Sequence, residues 1–222
     1  MPSTGARRNP SAPQVDAGIL ETLRGIAVAL LSDNLHRGVG SVGLQPYHRS
    51  SAIMAGTAVT VRSRGGDNLT MLRAYEYCRP GDVMVIDCGG DVTNAVLGGI
   101  LSYYGATIGL SGMVLDGAIR DVAEIRERDF PVYARGVNHR GPYKDGPGEI
   151  NVPVSIGGMV VNPGDIIVGD QDGLLAFDPA EAQELIIKAQ AQGRKEAETM
   201  LAMKEGRWDR SFIDALEARC AN

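Results

Sequence analysis

The chain has 222 residues, of which 44% are hydrophobic and 22% are charged, the balance of an ordinary globular protein. At about 150 residues per domain, this length predicts one domain and leaves room for two small ones. Lysine and arginine number 22 against 27 aspartates and glutamates, and the resulting net charge of −5 argues against nucleic acid as a partner. The apolar runs are far shorter than the roughly 20 residues that cross a bilayer, and no secretory signal is recognisable, so no membrane partner is expected.

The cysteines indicate the compartment. Cys78, Cys88 and Cys220 form no CxxC pair, and their number is odd. This pattern is typical of a reducing environment rather than of a disulfide framework or a zinc site, so we expect a cytoplasmic protein. Glycine is frequent at 29 residues, which indicates many tight turns.

The N-terminal quarter combines a loose segment, a helix and a strand. Residues 1–14 are rich in proline, serine and arginine, and we expect them to be flexible and to precede a single domain over residues 15–222. Apolar residues at helical spacing predict a helix over residues 16–35, with Asp16 as its N-cap. Residues 57–62 alternate in polarity and are β-branched, which predicts a strand.

A short helix, capped by Asp67 or Asn68, precedes an alternation of strands and helices. Strands are predicted over residues 82–87, 112–115 and 130–134, and helices over residues 93–104 and 120–128. This alternation is typical of an α/β protein with a parallel sheet, in which sites form where loops leave the carboxyl ends of the strands. Two loops meet that condition, at residues 88–94 and 116–120.

The last third of the chain changes character. Short strands are predicted over residues 151–155, 159–161, 165–168 and 174–177. A helical extension then begins at about residue 179, with a long helix to about residue 204 and a shorter one over residues 208–219. The long helix is polar over much of its surface, so we expect it on the outside of the molecule or against a neighbouring subunit.

Several motifs that suggest chemistry fail on their context. Residues 38–43 match GxGxxG, but nucleotide binding needs a strand before the glycines and a helix after them. A helix precedes them here, so we interpret the segment as a flexible loop. His36, His48 and His139 are scattered, and they are expected at the surface or as hydrogen-bonded core residues.

A basic stretch in the second half of the chain leaves two interpretations open. It consists of Arg135, His139, Arg140 and Lys144. Such a stretch can recognise an additional substrate carboxylate, or it can be a solvated loop, and the loop is favoured.

Two segments at predicted strand ends carry the strongest signals. Gly98 and Gly99 fall near a helix start, where open N–H groups bind anions, although close packing also favours glycine there. Arg120 and Asp121 follow a buried strand, and adjacent helical residues do not face each other, so we do not expect a simple local salt bridge. Arg120 can bind a carboxylate through two hydrogen bonds, and Asp121 can hold a divalent cation together with water. The alternative is an acidic helix N-terminus beside a solvated arginine, which spacing alone favours.

Longer segments resemble a known family. PGDVMVIDCGGD, DGAIRDVAEIRERDFPVYARG, VNPGDIIVGDQDG and AGTAVTVRSRGGDN are similar to segments of the RraA-like family, and the resemblance extends over about residues 16–205. The family includes the regulator of ribonuclease E activity and the class II aldolases for 4-hydroxy-4-methyl-2-oxoglutarate (HMG) and 4-carboxy-4-hydroxy-2-oxoadipate (CHA). The resemblance implies a layered α/β/α, swivelling-domain-like fold with a long C-terminal helix. It also implies a trimer or hexamer with the active site between subunits.

The resemblance implies roles for individual residues. Arg120 and Asp121 match the catalytic pair, in which the arginine binds the pyruvyl carboxylate and the aspartate ligates Mg²⁺ or Mn²⁺, partly through water. A glutamate from the C-terminal helix of the neighbouring subunit approaches the waters of the metal, and Glu196 is its match. The backbone amides that grip the substrate carboxylate match Gly98, Gly99, Ile100 and Leu101.

The chain departs from the family pattern at one position. The catalytic pattern of the family is an aspartate, twenty residues, then Arg-Asp, and counting back from Arg120 places Gly99 where the aspartate belongs. In the aldolases that carboxylate orients water of the metal and helps to move protons. Asp91 is the nearest candidate to replace it. The departure puts the specific aldolase substrate in doubt and leaves pyruvate-enolate chemistry in place.

Together these residues predict a metal-dependent lyase for a small 2-oxo acid. Aldol cleavage and oxaloacetate decarboxylation both release a pyruvate enolate, whose charge a divalent cation, Arg120 and the helix amides stabilise. None of the four lysines lies at a predicted strand end, so the metal route is favoured over a lysine Schiff base. The alternative function is a non-catalytic, protein-binding regulator of ribonuclease E. Gly99 favours this alternative, and the Arg120–Asp121 pair opposes it.

Overall fold

The computed structural model describes residues 6–35 and 40–220. The helices are α1 (Ala17–Leu23), α2 (Val28–Asp33), α3 (Leu69–Ala74), α4 (Gly99–Thr107), α5 (Val122–Arg126), α6 (Ala182–Lys204) and α7 (Ser211–Cys220). The strands are β1 (Gln45–Pro46), β2 (Met54–Ser63), β3 (Asp82–Asp87), β4 (Ala95–Leu97), β5 (Gly112–Ile119), β6 (Val132–Val137), β7 (Gly148–Ile150), β8 (Val154–Ile156), β9 (Met159–Val161), β10 (Ile166–Gly169) and β11 (Leu174–Phe177).

One mixed sheet organises the described part of the chain. Its strand order is β1-β6-β5-β3-β2-β10-β11, with β4 added to β5 and β7 added to β2. The central strands β2, β3, β5 and β6 are parallel, whereas β1, β7, β10 and β11 pair antiparallel. The strands β8 and β9 form a separate antiparallel hairpin. The predicted α/β class, layered architecture and long C-terminal helix are confirmed.

The central strands are buried on both faces. Along β3, Met84 and Ile86 face the core under α3, α4 and α5, whereas Val83 and Val85 face the β8–β9 hairpin. Since successive side chains of a strand point to opposite faces, burial on both sides requires the uninterrupted apolar run of this strand. A third core joins α1, α2 and α6 to the antiparallel strands at the edge of the sheet. In the described ranges, no helix is both long and apolar enough to cross a membrane.

The prediction of one helix over residues 16–35 is wrong at its centre. Asp16 caps α1 as predicted, because its carboxylate accepts hydrogen bonds from the amides of Gly18 (2.8 Å) and Ile19 (3.1 Å). The helix ends at Leu23, and α2 begins with Val28, whose amide donates to the Asp170 carboxylate at 2.8 Å. A tertiary contact therefore starts the second helix. No local pattern could show that contact.

The prediction over residues 93–104 also needs correction. The chain first adds the short strand β4 to the side of β5, and α4 starts only at Gly99. The apolar residues Ala95, Val96 and Leu97 are all buried there, so their spacing carries no helical period.

The N-terminal segment is held more firmly than its composition predicts. The Arg7 guanidinium pairs with the buried Glu149 carboxylate at 2.6 Å, and the Asn9 side chain donates to the Asn151 carbonyl at 2.8 Å. Gln14 donates to both the Pro80 carbonyl and the Asp82 carboxylate. The structure thus pairs this segment with the domain, the flexibility of residues 1–14 stays a prediction, and residues 1–5 lie outside the described part. The polar side chains of this segment, Ser11 among them through its hydrogen bond to the Tyr77 carbonyl at 2.7 Å, pair with the domain.

Candidate active site

A cavity of ≈ 200 Å³ opens where β4 and β5 end and α4 begins. Leu72, Val96 and Leu97 give it an apolar wall. Its polar lining includes Arg120, Asp121 and, from other segments, Asn68 and Lys144. Of the amide positions predicted from the sequence, Gly98, Ile100 and Leu101 line it directly, and Gly99 lies between them. The structure therefore brings most of the predicted site together in one place.

The N-terminus of α4 lies at this cavity, because Gly98, Ile100 and Leu101 belong to the lining. Gly98 is the N-cap in an extended conformation, and as a glycine it has no side chain that could cap the helix. The first amides of a helix have no partner inside the helix, so they attract anions. One of them, the Gly99 amide, donates to the Asp121 carboxylate at 3.0 Å. The prediction that Gly98 and Gly99 open a helix is confirmed.

Asp121 has a left-handed backbone conformation, with φ 56° and ψ 38°. Few residues other than glycine adopt this conformation, and asparagine and aspartate tolerate it best. Asp121 is the N-cap of α5, but its side chain makes no cap hydrogen bond to that helix. The carboxylate instead turns back across the chain to α4. A residue held in this conformation, with its side chain directed into a cavity, is typical of functional sites.

The expectation that Arg120 and Asp121 would not pair is wrong. The Arg120 Nε lies 3.7 Å from Asp121 Oδ2. The rule about adjacent residues applies within a helix, and neither residue is helical here, since α5 begins only at Val122. The Arg120 side chain is 44% exposed, so its guanidinium keeps surface free for a ligand.

Glycines make room for the Arg120 side chain. A Cβ on Gly98 would lie 3.1 Å from Arg120 Cγ, and a Cβ on Gly141 would lie 3.1 Å from an Arg120 guanidinium nitrogen. Both contacts are tighter than ordinary packing. The Arg120 amide in turn donates to the Leu97 carbonyl at 3.0 Å, which fixes the start of the side chain against β4.

The structure separates the members of the basic stretch. Lys144 reaches the cavity and lies in its lining beside Arg120. Arg135 instead pairs with the buried Asp116 carboxylate, and His139 and Arg140 line a different surface depression. The solvated-loop interpretation is therefore wrong for Arg135, whereas Lys144 is exposed at the cavity and its recognition of a substrate carboxylate stays a prediction. Chain folding, not strand-end position, brings this lysine to the site.

A buried carboxylate holds the loop that carries Lys144. Asp67 is completely buried and accepts hydrogen bonds from the amides of Leu69 (2.9 Å), Asp145 (2.6 Å) and Gly146 (2.9 Å). Burial by itself raises the pKa of Asp67, but these three amides and the charge of Arg64 outweigh it and lower the pKa below its ordinary value. Sequence reasoning gave Asp67 only a capping role. Its role in holding the loop of Lys144 depends on amides almost 80 residues further along the chain.

Asp91 does not reach the cavity lining. Its carboxylate accepts hydrogen bonds from the Thr93 amide (2.7 Å) and hydroxyl (2.6 Å), and these bonds lower its pKa. A different carboxylate lies beside Gly99. A Cβ added to Gly99 would overlap the carboxylate of Glu124, which comes from α5.

The remaining predicted residues lie apart from the cavity. Glu196 is exposed on α6 and accepts a hydrogen bond from Gln192 at 2.9 Å, so its role toward a neighbouring subunit stays a prediction. His48 is buried, hydrogen-bonded to Val132 and packed edge-on against Tyr133, which confirms it as a core residue. His36 and the first glycine of the GxGxxG match lie outside the described residues.

The donor set restricts how a cation would bind. Within the described ranges, no three histidine, cysteine, aspartate or glutamate side chains are grouped to hold a metal. Asp121 is the acidic residue in the cavity lining. Mg²⁺ commonly binds through one or two carboxylates and keeps several waters, so the lining fits such a cation and does not fit zinc.

Comparison with known proteins gives a consistent set of relatives. The family model described as RraA-like (Aldolase/RraA) matches residues 28–176. A protein of Halalkalibacterium halodurans, provisionally named 4-hydroxy-4-methyl-2-oxoglutarate aldolase, is 36% identical over 177 residues, which are 79% of this chain and 84% of the relative.

Solved structures agree with the sequence match. Streptomyces coelicolor RraAS2, described as an unusual member of the RNase ES inhibitor RraA family, is 27% identical with a TM-score of 0.76 over 84% of this chain and 97% of that one. A Thermus RraA described as an RNA-processing inhibitor is 31% identical with a TM-score of 0.62, over 68% and 92% of the two chains.

The Asp67→Asn variant tests how the Lys144 loop is held. An aspartate whose pKa is lowered by folding stabilises the native state above its unfolded pKa of about 3.9, and this contribution disappears as the pH falls through the lower folded value. We expect the variant to lose about 2 kcal/mol of unfolding free energy at pH 7, because three amides lose a charged acceptor. The difference from wild type should shrink below about pH 4. Urea unfolding at several pH values measures it, with the exposed Asp145→Asn as the control. An equal deficit at pH 7 and pH 3 would contradict the assignment.

Proposed function

Because the chain belongs to the Aldolase/RraA family, we propose that it is a lyase that cleaves a small 2-oxo acid through a pyruvate enolate. The proposed reactions are aldol cleavage of HMG or CHA, decarboxylation of oxaloacetate, or both. The name of the Halalkalibacterium relative supports the aldolase reaction. The structure supports the proposal through the residues that line one cavity.

The observation that carries the proposal is the convergence of positive groups on that cavity. Arg120, Lys144 and the N-terminal amides of α4 all face a space of ≈ 200 Å³. A pyruvyl unit presents one carboxylate. Arg120 can bind its two oxygens through two hydrogen bonds, and the helix amides can donate to the same group. HMG, CHA and oxaloacetate all carry at least one further carboxylate, and Lys144 provides a second positive charge for it. The lining therefore suits a dicarboxylic 2-oxo acid better than a neutral substrate.

Asp121 is the residue that would hold Mg²⁺ or Mn²⁺, with water completing the coordination. Such a cation supplies Lewis-acid stabilisation for the charge that develops on the oxygen of the 2-oxo group. The chain's own residues do the rest. Arg120 fixes the substrate carboxylate, the α4 amides add fixed dipoles, and the apolar wall of Leu72, Val96 and Leu97 excludes bulk water.

We also propose that the active form is a homo-oligomer, a trimer or a hexamer. Large apolar side chains are exposed on α4 next to the cavity: Ile100 is 78% exposed, Tyr103 59% and Tyr104 47%. A contiguous apolar surface of this kind is typical of an interface. In such an oligomer, the family resemblance implies that the C-terminal helix of a neighbouring copy brings Glu196 to the cavity. The two cysteines whose side chains are described, Cys78 and Cys88, are free thiols, which fits the cytoplasm.

The first experiment measures pyruvate release from HMG and from oxaloacetate, coupled to lactate dehydrogenase, with Mg²⁺ or with EDTA. We expect release that depends on the metal and that falls at least about 100-fold in Asp121→Asn. Asparagine is chosen because it tolerates the left-handed backbone of Asp121, so the variant should fold. Borohydride added with pyruvate should leave the activity intact, since Lys144 is assigned to binding and not to a Schiff base. Full activity in Asp121→Asn, or inactivation by borohydride, would refute the mechanism.

The Lys144→Met variant tests the second carboxylate. Methionine keeps the aliphatic stem and removes the charge, so KM for HMG and oxaloacetate should rise about 10-fold with kcat changed much less. Inhibition by the product pyruvate should be unaffected, because pyruvate has no second carboxylate. The exposed Lys204→Met at the end of α6 is the matched control. Equal weakening of pyruvate and HMG would show that Lys144 binds the pyruvyl carboxylate instead.

A second candidate function is a protein-binding regulator of ribonuclease E, which the RraA structures favour. A regulator would act through its surface, so Asp121→Asn should inhibit the ribonuclease as well as wild type does. We expect neither protein to inhibit ribonuclease E at equimolar concentration. Equal inhibition by both proteins, without pyruvate release, would establish the regulator instead of the lyase.

A further inference from the structure

We infer that Glu124 is the carboxylate that accepts the proton of the substrate hydroxyl in aldol cleavage. This inference rests on the proposed lyase function and assigns a residue that the function leaves open. When a 4-hydroxy-2-oxo acid is cleaved, a base must remove the hydroxyl proton. The residues that line the cavity include one acid, Asp121, and that residue is assigned to the cation.

Glu124 lies against the one glycine of the α4 N-terminus that does not line the cavity. A Cβ on Gly99 would overlap Glu124 Oε2 and would lie 3.0 Å from Oε1. Gly99 stands between Gly98 and Ile100, which both line the cavity, and its amide donates to Asp121. The Asp121 carboxylate therefore lies at the amide of Gly99, and the Glu124 carboxylate occupies the space where a Cβ of Gly99 would be. The absence of a side chain at Gly99 leaves the space that Glu124 fills.

The position of the Glu124 carboxylate is fixed by a single arginine. Arg128 forms an ion pair with Glu124 and donates to the Gly99 carbonyl at 2.9 Å. Its guanidinium also lies over the ring of Tyr103, 5.0 Å from the centroid. An exposed helical ion pair is ordinarily mobile and weak. Here the arginine is anchored to α4 at two points, so the carboxylate is held beside the helix start.

The proton balance of the step is complete without another reactant. The O–H bond at C4 breaks and its proton passes to Glu124 through one water, because Glu124 lies beside the cavity lining and not in it. The C3–C4 bond then breaks, its electron pair forms the pyruvate enolate, and C4 becomes the carbonyl of the second product. Glu124 returns the proton to C3 of the enolate. Decarboxylation of oxaloacetate breaks a C–C bond without removing a hydroxyl proton, so it does not need this base.

The Glu124→Gln variant separates this role from a purely structural one. Glutamine keeps the length of the side chain and its hydrogen bond to Arg128 but cannot accept the proton. We expect kcat for HMG cleavage to fall about 100-fold or more, and kcat for oxaloacetate decarboxylation to fall less than about 10-fold. The exposed Glu127→Gln on the same turn is the matched control and should behave as wild type. Normal HMG cleavage by Glu124→Gln, or an equal loss with both substrates, would overturn the inference.

Moving the carboxylate provides a second test. Glu124→Ala should lose HMG cleavage, and Gly99→Asp in that background should restore at least about 10-fold of it, because the new carboxylate occupies the vacated space. Thermal unfolding gives a readout that needs no substrate. Gly99→Asp alone should lower Tm, since it displaces the Glu124 carboxylate and brings like charges together, and the double variant should recover the loss. Independent effects of the two substitutions on Tm would show that the side chains do not share this space and would overturn the inference.

The two proposals fail in different ways. Absence of pyruvate release by wild type from either substrate would refute the lyase itself. Active wild type with an unimpaired Glu124→Gln would refute only the role of Glu124. Wild-type activity confined to oxaloacetate would refute that role as well, because no hydroxyl proton is then removed.

Discussion

The geometry of the site depends on the left-handed backbone at Asp121. A right-handed residue at this point would continue into α5 and direct its side chain along that helix. The conformation at φ 56° instead turns the carboxylate back to the Gly99 amide, 3.0 Å away, and brings the Arg120 guanidinium beside it. Such a conformation costs of order 1–3 kcal/mol, less for aspartate than for most residues, and the surrounding contacts must offset it. Two backbone hydrogen bonds hold the chain there, from the Arg120 amide to the Leu97 carbonyl at 3.0 Å and from the Ile125 amide to the Asp121 carbonyl at 3.1 Å.

A second constraint lies beneath the site and is electrostatic. Asp67 is buried without a direct salt bridge, and three backbone amides carry its charge. A buried carboxylate in such an amide cluster is rigid, because the loss of any one amide donor would leave part of its charge unsolvated inside the protein. The loop with Lys144 is therefore held by the same residue that starts α3. The Asp67 side chain thus links α3 to the loop that carries the positively charged Lys144.

The sequence predicted those features that have a local cause. Asp16 caps α1 through amides two and three residues away, and the alternation of strands and helices gave the α/β class. The position of Arg120 and Asp121 after a buried strand pointed to a site, the resemblance added their roles, and the structure places both in one cavity lining. The error over the Arg120–Asp121 pair is local, because α5 begins only at Val122, but other features depend on partners far away in the sequence. The Asp170 carboxylate accepts a hydrogen bond from the first amide of α2, and the Glu149 carboxylate pairs with Arg7. The Asp67 carboxylate binds the amide of Asp145, next to Lys144. Local spacing of polar and apolar residues does not predict these partners, because they lie far apart in the sequence.

Gly99 shows how a position in a sequence differs from a position in space. Along the chain, a glycine stands where the aldolases of the family have an acid, and this difference suggests that a catalytic group is lost. In the structure, the Glu124 carboxylate occupies the space beside that glycine, and Arg128 joins the two through the Gly99 carbonyl. A glycine is the residue that permits this arrangement, because any Cβ would overlap the incoming carboxylate. The substitution and the neighbouring acid are therefore one structural feature. A negative charge at the start of α4 therefore comes from Glu124, which packs against Gly99 from the neighbouring helix α5.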